Sequence, residues 1–400
     1  MASVVILCRW ACQCNSPKLY GNMFRSLLLA STLVVLIPGH LLGHDFPGHP
    51  DPELLAGWRT GLHLTIQWTH LTASALWLGL TAGTLLLGIK PPLDHLLYSS
   101  WALSLVMLAT GAYNMDYSAG ISATPSLFLL TWLRDIPYGV TTTALLAVKI
   151  ALYGLLVLLT FAVTILRLRG KDEKHLRKTF LLAGSILTVL ATLVAAVVLF
   201  YHEVADLWPR VVHSSGGLMA PDGPLGQSAV ERNGLSPNDF WLLTTTDAWI
   251  DIGVRWLHLL GFGLWLGGSA AALVFGPVSP ARFLLVAWSA LILQVLTGIA
   301  SMVRWTPFYL PPYLWNLSEL SQLRFGRSYT LLMAVKQGLV LSGTGLLLAA
   351  TYQWLRSGSG RRPAALSLRS YLAAAVALGL AIAYIMMIVL LLHEGVDHAL

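Results

Sequence analysis

The sequence predicts an all-α membrane protein with eight core transmembrane helices in two parallel four-helix repeats, preceded by a signal sequence or a ninth helix. Three observations carry this. Of the 400 residues, 56% are hydrophobic and 11% charged, against about 25% charged in soluble domains. Eight apolar runs follow residue 60, at roughly 62–88, 94–113, 140–166, 176–201, 249–276, 281–305, 329–355 and 367–393; about 20 residues suffice to cross a hydrocarbon core. Residue patterns of the first four runs then return in the last four. Only helices and closed barrels satisfy every backbone polar group in lipid, and runs this long without alternation are helices.

Residues 1–43 form an N-terminal extension and a signal-like stretch. Met23-Phe24-Arg25 precedes the apolar Ser26–Ile37, one positive charge before a short hydrophobic region. Cleavage and retention as a ninth helix both fit. Residues 1–22 hold all three cysteines, Cys8, Cys12 and Cys14, whose spacing suits a soft metal; a misassigned start, with initiation at Met23, fits better. With no cysteine after residue 14, neither disulfides nor thiolates support the core. Residues 44–61 carry His44, His49, Asp45 and Asp51, an exposed segment with metal-binding capacity whose simpler reading is a polar linker.

The net charge of +7 does not indicate nucleic acid, because of where the charge lies. Arg167, Arg169, Lys171, Lys174, Arg177 and Lys178 fall in 167–178, and Arg356, Arg361, Arg362 and Arg369 in 356–369. Lys90 and Arg282 lie in the two remaining connections on the same side of an alternating path. The positive-inside rule places that side in the cytoplasm of a bacterial inner membrane. The loops 114–139, 207–248 and 306–328 then face outward, and their aromatic residues, such as Trp208 and Trp315, read as an interfacial belt.

The repeats are assigned to 62–206 and 249–400, with 207–248 a periplasmic loop. Gln67-Trp68-Thr69-His70, followed by Leu76-Trp77-Leu78-Gly79, matches Arg255-Trp256-Leu257-His258, followed by Leu264-Trp265-Leu266-Gly267, at an offset of 188 (258 − 70). Thr110-Gly111 matches Thr297-Gly298, and Val148-Lys149 matches Val335-Lys336, each at 187 (297 − 110; 336 − 149). His202-Glu203 matches His393-Glu394 at 191 (393 − 202). Both first helices run out-to-in, so the repeat is parallel, about an axis along the membrane normal.

The chemistry concentrates on the first helix of each repeat. His63, Gln67, His70, Ser74, Trp77 and Thr81 are spaced three and four residues apart, so they share one face. Asp251, Arg255, His258, Phe262, Trp265 and Ser269 are their counterparts. A polar stripe on an apolar helix faces the bundle interior. His63 lies two turns, about 10 Å, outward of His70, where it lines an access path. His202 and His393, at the outer ends of the fourth helices, are expected to meet His70 and His258 at one outer level. Imidazole serves copper, zinc and iron, so such a pair could bind copper or clamp a haem b iron. Met115 and Met302, matched at 187 (302 − 115), would favour Cu(I), giving one soft site of His70, Met115 and His202 and a second of His258, Met302 and His393. The simpler reading, packed histidines and core methionines, is weakened by the repetition.

Lys149 and Lys336 sit near mid-depth, where a lysine costs about 2.5–3.5 kcal/mol on insertion scales. A carboxylate, a haem propionate or a transported anion would offset that cost. No Walker, G-x-S-x-G or H-E-x-x-H motif occurs, and the serines lack an adjacent base, so neither an ATP-driven pump nor a hydrolase is indicated.

Trp256-Leu257-His258 and Leu264-Trp265-Leu266-Gly267-Gly268 resemble the copper-resistance D (CopD/PcoD) family of bacterial inner-membrane proteins, as does the eight-helix layout. The likeness covers most of 60–395 and is sharpest in the second repeat; the first has Gly79-Leu80 where the second has Gly267-Gly268. The resemblance implies movement of copper across the inner membrane beside a periplasmic copper-binding partner, with His258 and His393, and their counterparts His70 and His202, handling copper. The alternative is a b-type haem cytochrome with one bis-histidine haem per repeat, Gly79, Gly83, Gly88 and Gly111 making room for the ring and Lys149 meeting a propionate. A third reading is a non-catalytic membrane subunit with structural histidines.

Overall fold

The structure, a computed structural model, describes residues 58–118, 139–207, 243–305, 326–356 and 365–397. These form eight long helices: α1 Trp58–Leu78, α2 Leu93–Ser118, α3 Gly139–Leu168, α4 Glu173–Leu207, α5 Thr246–Phe275, α6 Pro280–Trp305, α7 Gly326–Arg356 and α8 Ala365–Asp397. A π turn, Gly79–Gly83, and a last α turn, Thr84–Leu87, continue α1. All eight contain a stretch long and apolar enough to cross a membrane, from Gly61–Leu87 through Leu368–Leu390. Leu105, Leu285 and Leu341 are largely exposed, an arrangement suited to lipid rather than to water. The chain is an all-α, multi-pass membrane protein whose apolar surface lies in a lipid bilayer.

The signal-like stretch, the cysteines, His44 and His49 lie outside the described residues. So do the loop aromatics Trp208 and Trp315 and the side chains of His202, His393, Met115 and Met302.

Short turns link consecutive helices where the charge pattern predicts cytoplasmic loops. Gly88 and Gly170 end α1 and α3 with φ of 67° and 71°, a left-handed conformation that glycine adopts without steric cost. In each turn the following amide reaches back five residues, Ile89 N–H to the Thr84 carbonyl and Lys171 N–H to the Leu166 carbonyl, both at 3.1 Å, the Schellman closure of a helix. Asp172 then caps α4 by accepting from the His175 amide at 3.1 Å. Arg167 and Arg177 both lie within 4 Å of Glu173 (3.6 and 3.8 Å), exposed pairs that contribute little stability.

Packing groups the helices differently from the sequence repeat. One compact unit holds α1, α2 to Asn114, the segment Gly263–Trp288, α7 and α8; the other holds α3, α4, α5 to Phe262 and α6 from Ser289. Within the first, the Trp68 indole donates to the Leu380 carbonyl of α8 at 3.0 Å and meets Tyr384 edge-on, centroids 5.9 Å apart. Within the second, the Trp256 indole lies 3.2 Å from Thr192 Oγ1 and 3.4 Å from the Val189 carbonyl of α4. Trp68 and Trp256 are repeat equivalents, and Leu380 follows Val189 by 191 (380 − 189), the offset seen between His202 and His393. Each first helix therefore docks on a fourth helix supplied by the other repeat.

Glycines set the closest helix approach in the first unit. A Cβ on Gly79 would fall on the Gly267 backbone, one on Gly267 would lie 2.8 Å from Gly79 Cα, and one on Gly83 would lie 3.1 Å from Gly268 Cα. Small residues let membrane helices pack backbone to backbone in this way. The Gly267-Gly268 pair thus meets Gly79 and, one turn on, Gly83. The crossing falls at the π turn of α1, where Thr84 Oγ1 donates to the Gly79 carbonyl at 3.2 Å.

Candidate functional site

None of the stripe residues on α1 or α5 is exposed: His63, Trp77, Thr81, Asp251, Phe262, Trp265 and Ser269 are buried and the others half-buried. His70 Nδ1 lies 2.9 Å from Thr110 Oγ1 on α2, and His258 Nδ1 lies 2.9 Å from Thr297 Oγ1 on α6. Each threonine hydroxyl spends its proton on its own helix: Thr110 donates to the Val106 carbonyl at 2.7 Å and Thr297 to the Leu293 carbonyl at 2.6 Å. The oxygen can then only accept from the imidazole, so Nδ1 carries the ring proton and Nε2 the lone pair. That is the tautomer a metal-ligating histidine needs, fixed by an outer partner.

A glycine follows each threonine. A Cβ on Gly111 would stand 3.5 Å from His70 Cε1, and one on Gly298 would stand 3.6 Å from His258 Cε1. The Thr-Gly pair recognised in sequence is thus the support of the histidine ring, one residue orienting it and the next lying against its edge.

The backbone behind each ring is held differently. The His70 carbonyl accepts from Ser74 Oγ at 2.9 Å, and the same hydroxyl lies 3.2 Å from Met107 Sδ. Thr110 Oγ1 also approaches the Met107 carbonyl at 3.5 Å, so His70, Thr110, Met107 and Ser74 close a ring of contacts. In the second site Gln294 Nε2 donates directly to the His258 carbonyl. The Thr297 hydroxyl approaches the Gln294 carbonyl at 3.4 Å, closing the ring with three residues. Gln294 follows Met107 at the repeat offset of 187 (294 − 107), and Phe262 stands where the first repeat has Ser74. A Cβ on Gly261 would meet Gln294 Nε2 at 3.1 Å, so α5 makes room for the amide.

Outward of His70, the buried His63 ring meets Tyr113 at a centroid distance of 6.1 Å. Lys149 on α3 and Lys336 on α7 are half-buried, and among the described residues neither makes an ion pair. Nor do those residues include any cluster of three or more His, Cys, Asp or Glu able to hold a metal.

The expected meeting of His70 with His202, and of His258 with His393, rests on the side chains of His202 and His393, which lie outside the described residues. One expectation needs correction, the room for a haem. Gly79 and Gly83 are filled by the backbone of Gly267 and Gly268, and the Arg282 guanidinium lies against Gly88; of the four glycines, only Gly111 adjoins a histidine ring.

Comparison with protein-family models, curated proteins and solved structures finds no match for this chain.

Proposed function

We propose that this protein handles copper in a bacterial inner membrane, moving the ion from the outer compartment through His70- and His258-centred sites, with 167–178 and 356–369 in the cytoplasm. The observation that supports this is the paired His–Thr bond. An imidazole at membrane depth is costly to bury and functional by default. Two repeat-equivalent imidazoles, each held at Nδ1 by a threonine hydroxyl of the following helix, favour metal binding over packing. Copper, as cargo, would be taken up by Nε2, while Thr110 and Thr297 hold the rings. His63 and Tyr113 would form the outward approach to His70, where a periplasmic copper-binding partner would deliver its ion. The conserved offsets support a duplicated origin for the two halves.

A second reading is a b-type haem cytochrome, favoured by one observation: glycine at the edge of each histidine ring, as a planar macrocycle would require. Each iron would need a second axial ligand, the role expected of His202 and His393, and Lys149 would remain a candidate for a propionate.

Absorption spectra of the purified protein, oxidised and dithionite-reduced, separate the two. Copper handling predicts no Soret or α band in protein from haem-replete cells and a rise in bound copper on titration. Sharp bands lost in His70→Ala would replace it with electron transfer.

A further inference from the structure

We propose that the α3–α4 turn binds an anionic phospholipid, its headgroup held by Arg169, Lys171, Lys174 and Lys178 and its chains lying along Leu182, Ile186 and Leu190. The inference is independent of copper, since every residue in it belongs to α3, α4 or the turn between them.

Residues 167–178 carry six basic and two acidic side chains, a net charge of +4 (6 − 2) with His175 neutral. Both acids are engaged within the turn. The Asp172 carboxylate accepts from the His175 amide at 3.1 Å and lies 3.3 Å from the Lys174 amide, and Glu173 lies between Arg167 and Arg177. Arg169, Lys171, Lys174 and Lys178 are exposed, and among the described residues none of them makes an ion pair. All four gather where the apolar spans Ala144–Leu168 and Glu173–Tyr201 meet the turn. Clusters of about four to eight lysines and arginines at the end of a membrane span attract anionic lipid.

The bilayer side of the same helix supplies a surface for the chains. From Lys174, every fourth residue of α4 is exposed: Lys178, Leu182, Ile186 and Leu190. Residues four apart form the continuous ridges of a helix surface. Two cations at the interface, followed by three apolar side chains deeper in the span, match the two parts of a phospholipid, a charged phosphate at the surface and acyl chains below it. A free phosphate would use the cations alone. The matching end of the second repeat is built differently. Arg369 follows Lys178 by 191 (369 − 178), but the next residues at the same spacing are Ala373, Ala377 and Ala381, all half-buried. Helix α8 repeats the cation without the exposed apolar row. Membrane topology requires only the number of charges on one side, whereas a lipid site needs them above such a row, and α4 has both.

The test is native mass spectrometry of the delipidated full-length protein, titrated with dioleoyl phosphatidylglycerol or dioleoyl phosphatidylcholine. Wild-type protein should bind one phosphatidylglycerol more tightly than any phosphatidylcholine. A lysine near an anionic surface contributes about fivefold in affinity, the factor equal to about 1 kcal/mol, so Lys174→Gln/Lys178→Gln should weaken that site by roughly 25-fold. Lys174→Arg/Lys178→Arg should retain it, and Leu182→Ala/Ile186→Ala should weaken it. Lys90→Gln/Arg356→Gln, which removes as much exposed charge elsewhere, should bind as wild type. A wild-type protein with no preference for phosphatidylglycerol overturns the assignment. An equal loss in Lys90→Gln/Arg356→Gln overturns it too, because it marks net charge rather than a site. Glycerophosphoglycerol, the headgroup without chains, should not compete; competition at the concentration of the intact lipid would make the turn an anion site and overturn the lipid assignment.

Discussion

The His70 and His258 sites agree in one respect and differ in another. Both rings are held through Nδ1 by a threonine at 2.9 Å, with a glycine at the ring edge. The residues behind them are exchanged: serine and methionine stand behind His70, phenylalanine and glutamine behind His258. What both keep is the group that decides which nitrogen carries the proton. What changes is how the backbone carbonyl is satisfied, for which one hydroxyl or one amide suffices. The two sites thus share the residue that holds the ring and differ in the residues that stand behind it.

The likeness of the sites depends on the helices that carry them, so its largest test is the glycine crossing. Gly267→Leu and Gly79→Leu each force a side chain into the opposing backbone, and each should abolish the folded protein, read as loss of a monodisperse peak in detergent. Gly154→Ala and Gly253→Ala, where nothing lies within 4 Å, should elute as wild type. A smaller effect tests the likeness directly. Thr110→Val and Thr297→Val keep shape but remove the acceptor for Nδ1, and each should lower metal affinity at its own site by about 10–100-fold. Unequal losses would show that only one histidine is a ligand. The smallest effect sharpens the difference in docking. Trp68→Phe and Trp256→Phe remove the indole bonds to α8 and α4, and each should cost about 0.6 kcal/mol, at most about 1.7, as interhelical bonds in membranes do. The midpoint of detergent-induced unfolding reads this.

The eight spans were legible because lipid demands long apolar helices, and the observed spans begin and end close to the apolar runs. The His–Thr–Gly support was half legible. The recurrence of His70 and Thr110 as His258 and Thr297 appears in the residues, but their contact depends on how α2 lies against α1. Met107 and Gln294 escaped notice because they do not match each other, and a search for repetition passes over positions that diverged. The partner of each first helix was not legible at all. An offset of 191 links Val189 to Leu380, and His202 to His393, yet says nothing of which repeat supplies the neighbour.

The most direct test counts Cu(I) equivalents bound by the purified protein. His70→Ala and His258→Ala should each remove one equivalent, and the double variant should bind none while still eluting as a folded protein. A double variant that keeps both equivalents would place copper elsewhere in the chain and leave the two oriented histidines as structural residues.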